Sequence, residues 1–142
     1  MKTNKEKMLA GELYYANDPE LIKDRNYAHD LLFEYNRLLP SDIESRRQML
    51  RKLFAATGEN FWIESVFFCD YGYNIYLGEN FYANAGCVIL DTAPVKFGDN
   101  VMLAPNVNIY TAGHPIDVDQ RNAGVEYAYP VTIGNNVWIG GN

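Results

Sequence analysis

The chain is poor in the residues that mark several large protein classes. Only Cys69 and Cys87 are cysteines among its 142 residues, in apolar surroundings. That excludes a disulfide framework and reads as two small buried hydrophobes in a reducing compartment. Hydrophobic residues make up 48% of the chain, yet no run approaches the roughly 20 apolar residues of a membrane span. The opening MKTNKEKMLAGELYYA carries lysines but no apolar segment of signal-peptide length. The expectation is a soluble, cytoplasmic protein of one domain's length with no membrane partner. Cations are scarce in one half only. Residues 1–60 balance ten Lys/Arg against ten Asp/Glu, whereas residues 61–142 hold Lys96 and Arg121 against eight acids. The second half therefore carries the whole net charge of −6, and a nucleic acid would find little attraction there.

The first sixty residues have helical periodicity. Asp18-Pro19-Glu20 is a start signal: the aspartate accepts from free N–H groups, proline has none to lose, and glutamate suits the positive helix end. Leu21, Ile22, Ala28, Leu31, Leu32, Tyr35, Leu38 and Leu39 then recur at steps of three and four up to Pro40. Ser41 and Glu44 read as a capping box for a second helix through Ile43, Met49, Leu50, Leu53 and Phe54, with Gly58 as its stop. A helical hairpin is predicted.

From about residue 75 the period becomes six. Leu77-Gly78, Ala83-Asn84 and Ile89-Leu90 open three hexads, Phe97-Gly98, Leu103-Ala104 and Ile109-Tyr110 three more, and Ile133-Gly134 and Ile139-Gly140 a final two. Phe81, Cys87, Val101, Val107 and Val137 are apolar four places after these starts. Neither a helix nor a two-residue strand alternation has this period. A triangular parallel solenoid does, each hexad being one short strand and one corner, with eighteen residues expected per coil. Two extra residues fall between Leu90 and Phe97, and residues 115–132 interrupt the repeat as a loop. Loops leaving a rigid scaffold often carry function.

These segments, GENFW, FCDYGYNIYLGENFYANAGCVILD, VMLAPNVNIYTAGHPID and PVTIGNNVWIGGN behind a helical hairpin, resemble the maltose and galactoside O-acetyltransferases among the hexapeptide-repeat acyltransferases. FYAN and TAGHPID are the specific parts. The resemblance implies a mainly β fold, a left-handed parallel β-helix over 61–142 with the inserted loop, preceded by the helical segment 1–60. It also implies acetyl transfer from acetyl-CoA to a sugar hydroxyl such as that of maltose, glucose or a galactoside, and a homotrimer with sites between neighbouring solenoids.

An alcohol attacking a thioester needs a base, for which histidine is the usual choice. His29 lies mid-helix and reads as a surface or packing residue; His114, in a Gly-His-Pro turn before the loop, is the expected general base. Direct transfer is favoured over an acyl-Cys87 route, because Cys87 occupies an inward hexad position. Asn84 is read as a sugar contact or a plain corner residue. Asp70 and Glu126 are expected to reach the sugar or orient His114, with a solvated acid as the alternative for each. Tyr82 and Trp138 would stack on the sugar or cover pantetheine, or else pack at a trimer interface. Backbone N–H groups near Gly140 and Gly141 are candidates for the oxyanion. No metal is expected: a zinc-dependent branch of such solenoids needs about three histidines, and this repeat carries His114 alone. The family's acidic contact after AGELY has no clear counterpart, since Asp18 is assigned to capping. A chain ending at Asn142 within a coil is expected to be the N-terminal portion of a longer enzyme. Two rivals stay open, a non-catalytic trimeric scaffold and an acyltransferase for a non-sugar acceptor.

Overall fold

A computed structural model describes all residues, 1–142. The chain opens with a helix the periodicity did not signal, α1 (Asn4–Leu9), where Thr3 and Glu6 form the capping box. A two-residue strand follows, β1 (Tyr14–Tyr15), then α2 (Pro19–Arg37) and α3 (Ile43–Leu53). Asp18 caps α2 as expected, its carboxylate accepting from the Glu20 N–H at 3.0 Å. The cap of α3 differs from expectation. It is Asp42, which accepts from Ser45 N. With the helix starting one residue later, Glu44 falls too early to reach back and instead accepts from Gln48 Nε2. Gly58 is no helix stop either, since α3 ends at Leu53 with Phe54 as its cap. A Cβ on Gly58 would stand 2.7 Å from Glu79 Cα, so the glycine permits close stacking of one coil on the next.

The solenoid is built from β2 (Phe61–Ile63), β3 (Phe68–Cys69), β4 (Ile75–Tyr76), β5 (Phe81–Ala83), β6 (Val88–Leu90), β7 (Val95–Phe97), β8 (Met102–Leu103) and β9 (Asn108–Tyr110). A hairpin-like excursion follows, β10 (Ala112–Gly113), α4 (Val118–Asn122) and β11 (Val125–Ala128), before β12 (Val131–Ile133) and β13 (Trp138–Ile139) resume the coil. Three parallel sheets form its sides, in the orders β2-β5-β8-β13, β4-β7-β12 and β3-β6-β9. The inward hexad positions are as read: Leu77, Ala83, Ile89, Phe97, Leu103, Phe81, Cys87, Val101 and Val107 are all buried.

Two corrections concern the repeat. The hexads read from residue 75 are preceded by a further coil, inside the 61–142 span that the resemblance implied, with Phe61, Ile63, Phe67 and Cys69 buried in the same frame. The period also advances twenty residues per turn, not eighteen: Phe61 pairs with Phe81, Ile75 with Val95 and Val88 with Asn108. The surplus sits at a single corner, after β3 and again after β6, and the long excursion leaves from the same corner after β9. At another corner Gly78 and Gly98 precede Asn80 and Asn100, which hold positive φ of 56° each. Asparagine tolerates that left-handed region better than most residues. Asn80 Nδ2 donates to Asn100 Oδ1 and Asn100 Nδ2 to Asn136 Oδ1, a ladder along the stack.

One core runs from the helices into the solenoid, joining Ala28, Leu32, Tyr35, Leu50 and Leu53 to the inward rungs. Each buried leucine, isoleucine, valine or phenylalanine among them contributes about 1.5–3 kcal/mol of hydrophobic stabilisation. Cys69 and Cys87 are free and buried within it. No helix is long and apolar enough to cross a membrane.

Candidate active site

The widened corner is roofed by the N-terminal segment. Strand β11 lies antiparallel between β10 and β1, with Tyr14 opposite Glu126 and Gly113 opposite Tyr127. What the sequence reads as a loop is therefore partly a strand, clamped by residues more than a hundred positions away. Between roof and corner lies a cleft of about 230 Å³, lined by Ala16, Asn17, Arg25, Asp70, Tyr71, Thr92 and Glu126.

His114 stands beside this cleft, its side chain 54% exposed and its Nε2 3.8 Å from Glu126 Oε1. The other carboxylate oxygen of Glu126 accepts from the Tyr14 hydroxyl at 2.6 Å. Asp70 accepts from Thr92 Oγ1 at 3.4 Å. Burial pushes the Asp70 carboxyl above the ordinary aspartate range, against the opposing pull of His29 and Arg25. Arg25 donates to the Tyr71 hydroxyl at 2.8 Å and has no carboxylate partner in an ion pair. Tyr71 is pushed up to about 12 by burial, although Arg25 works the other way. The cleft thus offers a guanidinium, two carboxylates, an amide and hydroxyls around one polar concavity, with an imidazole at its side. That donor and acceptor set suits a polyhydroxylated ligand and can deprotonate one of its hydroxyls.

Three of the residues expected in the site, His114, Asp70 and Glu126, come together here. The others do not line the cleft. Asn84 follows β5 and its Oδ1 accepts from Ala85 N at 2.8 Å. Tyr82 points outward on the β2-β5-β8-β13 face, between Trp62 and Met102 in register, and Trp138 ends the same ladder at 70% exposure. Gly140 has nothing within 4 Å of where a Cβ would stand, and Gly141 would meet Pro105 O at 3.0 Å. Cys87 faces inward, its thiol pushed up by burial and 3.4 Å from Ala104 O, a poor setting for a nucleophile.

Sequence reasoning missed Arg25, Asn17, Tyr71, Thr92 and Tyr14. Asp18 is spent on Glu20 N and Asn4 Nδ2, and its neighbour Asn17 faces the cleft instead. The usable signal was the two-residue surplus at one corner, which singles out Asp70–Tyr73 and Asp91–Pro94 together.

Three parallel faces, inward aliphatics every six residues and stacked corners define a hexapeptide-repeat solenoid. The family model described as the maltose acetyltransferase hexapeptide capping motif matches residues 7–58. The fold is similar to the structure of a maltose O-acetyltransferase from Clostridium difficile 630, with TM-score 0.96 and 54% identity over 98% of this chain and 74% of that one. It is similar to a galactoside acetyltransferase in complex with coenzyme A, with TM-score 0.94 and 40% identity over 99% of this chain and 70% of that one. In sequence it is 42% identical to the galactoside O-acetyltransferase of Escherichia coli (strain K12), over 95% of this chain and 66% of the relative. The chain belongs to the maltose and galactoside O-acetyltransferase family, and its solenoid is a left-handed β-helix.

Proposed function

We propose that this chain catalyses acetyl transfer from acetyl-CoA to a sugar hydroxyl, with His114 as general base. The observation that carries the reading is the meeting of the His114 imidazole and the Glu126 carboxylate, 3.8 Å apart, beside a cleft that also holds Asp70 and Arg25. The acceptor sugar sits in that cleft, its hydroxyls shared among Asp70, Glu126, Asn17 and Arg25. His114 takes the proton of one hydroxyl as that oxygen attacks the thioester carbonyl. Collapse of the tetrahedral adduct breaks the carbon–sulfur bond, and the imidazolium returns the proton to the departing CoA thiolate. Positioned base catalysis of this kind is worth about 10²–10⁴ in rate.

Acetyl-CoA binds along the β2-β5-β8-β13 face. The exposed Trp138 ring offers a flat surface for pantetheine, and the N–H groups of Gly140 and Gly141 are the ones assigned to the oxyanion. Tyr82 and Asn84 lie on that side of the solenoid rather than in the cleft. In a homotrimer the Tyr82 and Asn84 side of one protomer meets the His114 corner of the next, which completes the site. Within this reading residues 1–60 form the helical segment and 61–142 the solenoid, and the unpaired buried cysteines suit a cytoplasmic setting.

The test is release of CoA thiol from acetyl-CoA with maltose, glucose and galactosides. It is run on this chain and on the chain joined at Asn142 to the C-terminal coils of the galactoside acetyltransferase relative. His114→Ala is expected to lower turnover by about 10²–10⁴ with an unchanged melting curve. Turnover retained in His114→Ala removes the base assignment. A folded, extended protein that acetylates no sugar overturns the acceptor class.

A further inference from the structure

We propose that Tyr14 is a positioning residue, supplied by the N-terminal segment, whose hydroxyl fixes the Glu126 carboxylate in front of His114. The inference rests on the reading of His114 and Glu126 above and goes one step beyond it. Tyr14 and Glu126 are directly opposed across the β1–β11 ladder. The phenol is 1% exposed and packs with Met8, Leu21 and Tyr71 in a small satellite core, so its hydroxyl has little freedom to move. It donates to Glu126 Oε2 at 2.6 Å, and no other group hydrogen-bonds that carboxylate. Oε1 is left as the oxygen 3.8 Å from His114 Nε2.

A carboxylate on a strand can turn about its own bonds, and a short charge-assisted bond to one oxygen selects a single orientation. Burial, and then the bond to Glu126 itself, push the Tyr14 hydroxyl far above its usual value, so it stays a donor at any working pH. The N-terminal helices thereby do more than cover the first coil. They deliver the group that sets how the carboxylate meets the base.

Tyr14→Phe removes one oxygen and keeps the ring, so the melting curve should hold. Loss of a hydrogen bond to a charged group predicts that kcat for the sugar falls roughly tenfold, with KM for acetyl-CoA unchanged. In a Glu126→Gln background the same change should add less than about twofold, because the two residues act as one unit. A readout without turnover is the side-chain nitrogen resonance of His114, expected to move in Tyr14→Phe as it moves in Glu126→Gln. Unchanged kcat, fully multiplicative effects of the two substitutions, or a His114 resonance untouched by Tyr14→Phe each overturn the proposal. The parent reading fails separately. It falls if His114→Ala stays active, whereas an inactive His114→Ala beside a wild-type-like Tyr14→Phe removes only the role of Tyr14.

Discussion

Asp91 makes the stability of this fold depend on pH in a direction opposite to that of most carboxylates. Its side chain is fully buried at the widened corner. Oδ1 accepts from Tyr71 N at 2.8 Å and Oδ2 from Asn74 N at 3.2 Å. Those bonds favour the anion, but burial is the larger influence and raises the group from the ordinary 3.8 to about 7. An acid whose folded value is raised keeps its proton in the native state while the unfolded chain has already lost it. Stability from this site is then full below pH ~4 and declines until about pH 7. The interval is roughly three pH units at 1.36 kcal/mol each, or about 4 kcal/mol.

Other carboxylates titrate over the same range, so the quantity to measure is a difference. Urea unfolding of the wild type and of Asp91→Asn, followed by tryptophan fluorescence at pH 4, 5, 6, 7 and 8, isolates the one group. The amide pays a constant penalty, since its NH2 faces an N–H donor, but it does not titrate. The wild-type stability minus that of Asp91→Asn should fall by about 4 kcal/mol from pH 4 to pH 8. A flat difference would mean that the two N–H bonds offset burial and that Asp91 behaves as an ordinary acid. A difference that grows with pH would refute the sign of the argument.

Two further outcomes follow from packing. Arg46 is 1% exposed, has no carboxylate partner, and donates to Tyr35 OH, Ile63 O and Ser65 Oγ, each at 3.0 Å, with its guanidinium near the Tyr35 and Trp62 rings. Arg46→Ala should cost about 3–5 kcal/mol in urea unfolding, from lost charge-assisted bonds plus a cavity; a cost under about 1 kcal/mol would show that it does not clamp α3 to the first coil. A Cβ on Gly98 would stand 2.2 Å from Asn135 Oδ1 and 2.8 Å from its N. Gly98→Ala should therefore lower stability by about 1–3 kcal/mol, and an unchanged melting temperature would defeat the stacking argument.

The repeat was legible because six-residue spacing of aliphatics has no competing explanation, and the place of His114 beside the excursion was legible from the hexad frame and the TAGHPID stretch. The first coil was obscured by its own side chains. Thr57 stands where the other coils place Leu77 and Phe97, and Glu64 and Asp70 stand where they place smaller or neutral residues. The cap of α3 was misplaced by one residue because Ser41 and Asp42 are both competent N-caps, and only the three-dimensional start of the helix chooses between them. The cleft was the least visible part. Arg25 on a helix looks like any solvated cation, and Tyr14 like any core aromatic. The pairing of β1 with β11 brings Tyr14 to Glu126, and the packing of α2 on the first coil brings Arg25 to Tyr71 beside Asp70.

The position of the cleft follows from how a regular stack is broken. A coil of regular hexads satisfies its backbone through its neighbours and leaves no concavity. Two added residues per turn at one corner interrupt that pairing, and side chains take over the exposed N–H groups. Asp91 accepts from Tyr71 N and Asn74 N, and one coil further on Thr111 Oγ1 accepts from Ala93 N at 2.9 Å while donating to Leu90 O at 2.7 Å. Buried polar groups must be paired in this way for the corner to persist. At the same corner Asp70 and the buried Thr92 line the cleft together with Glu126. A polar site in an otherwise aliphatic solenoid thus needs both a bulge, which opens the wall, and buried acceptors such as Asp91, which keep it open. If the cleft holds the acceptor as proposed, Asp91→Asn should alter acceptor KM more than acetyl-CoA KM, because Asp91 holds the backbone of Tyr71 at the cleft wall.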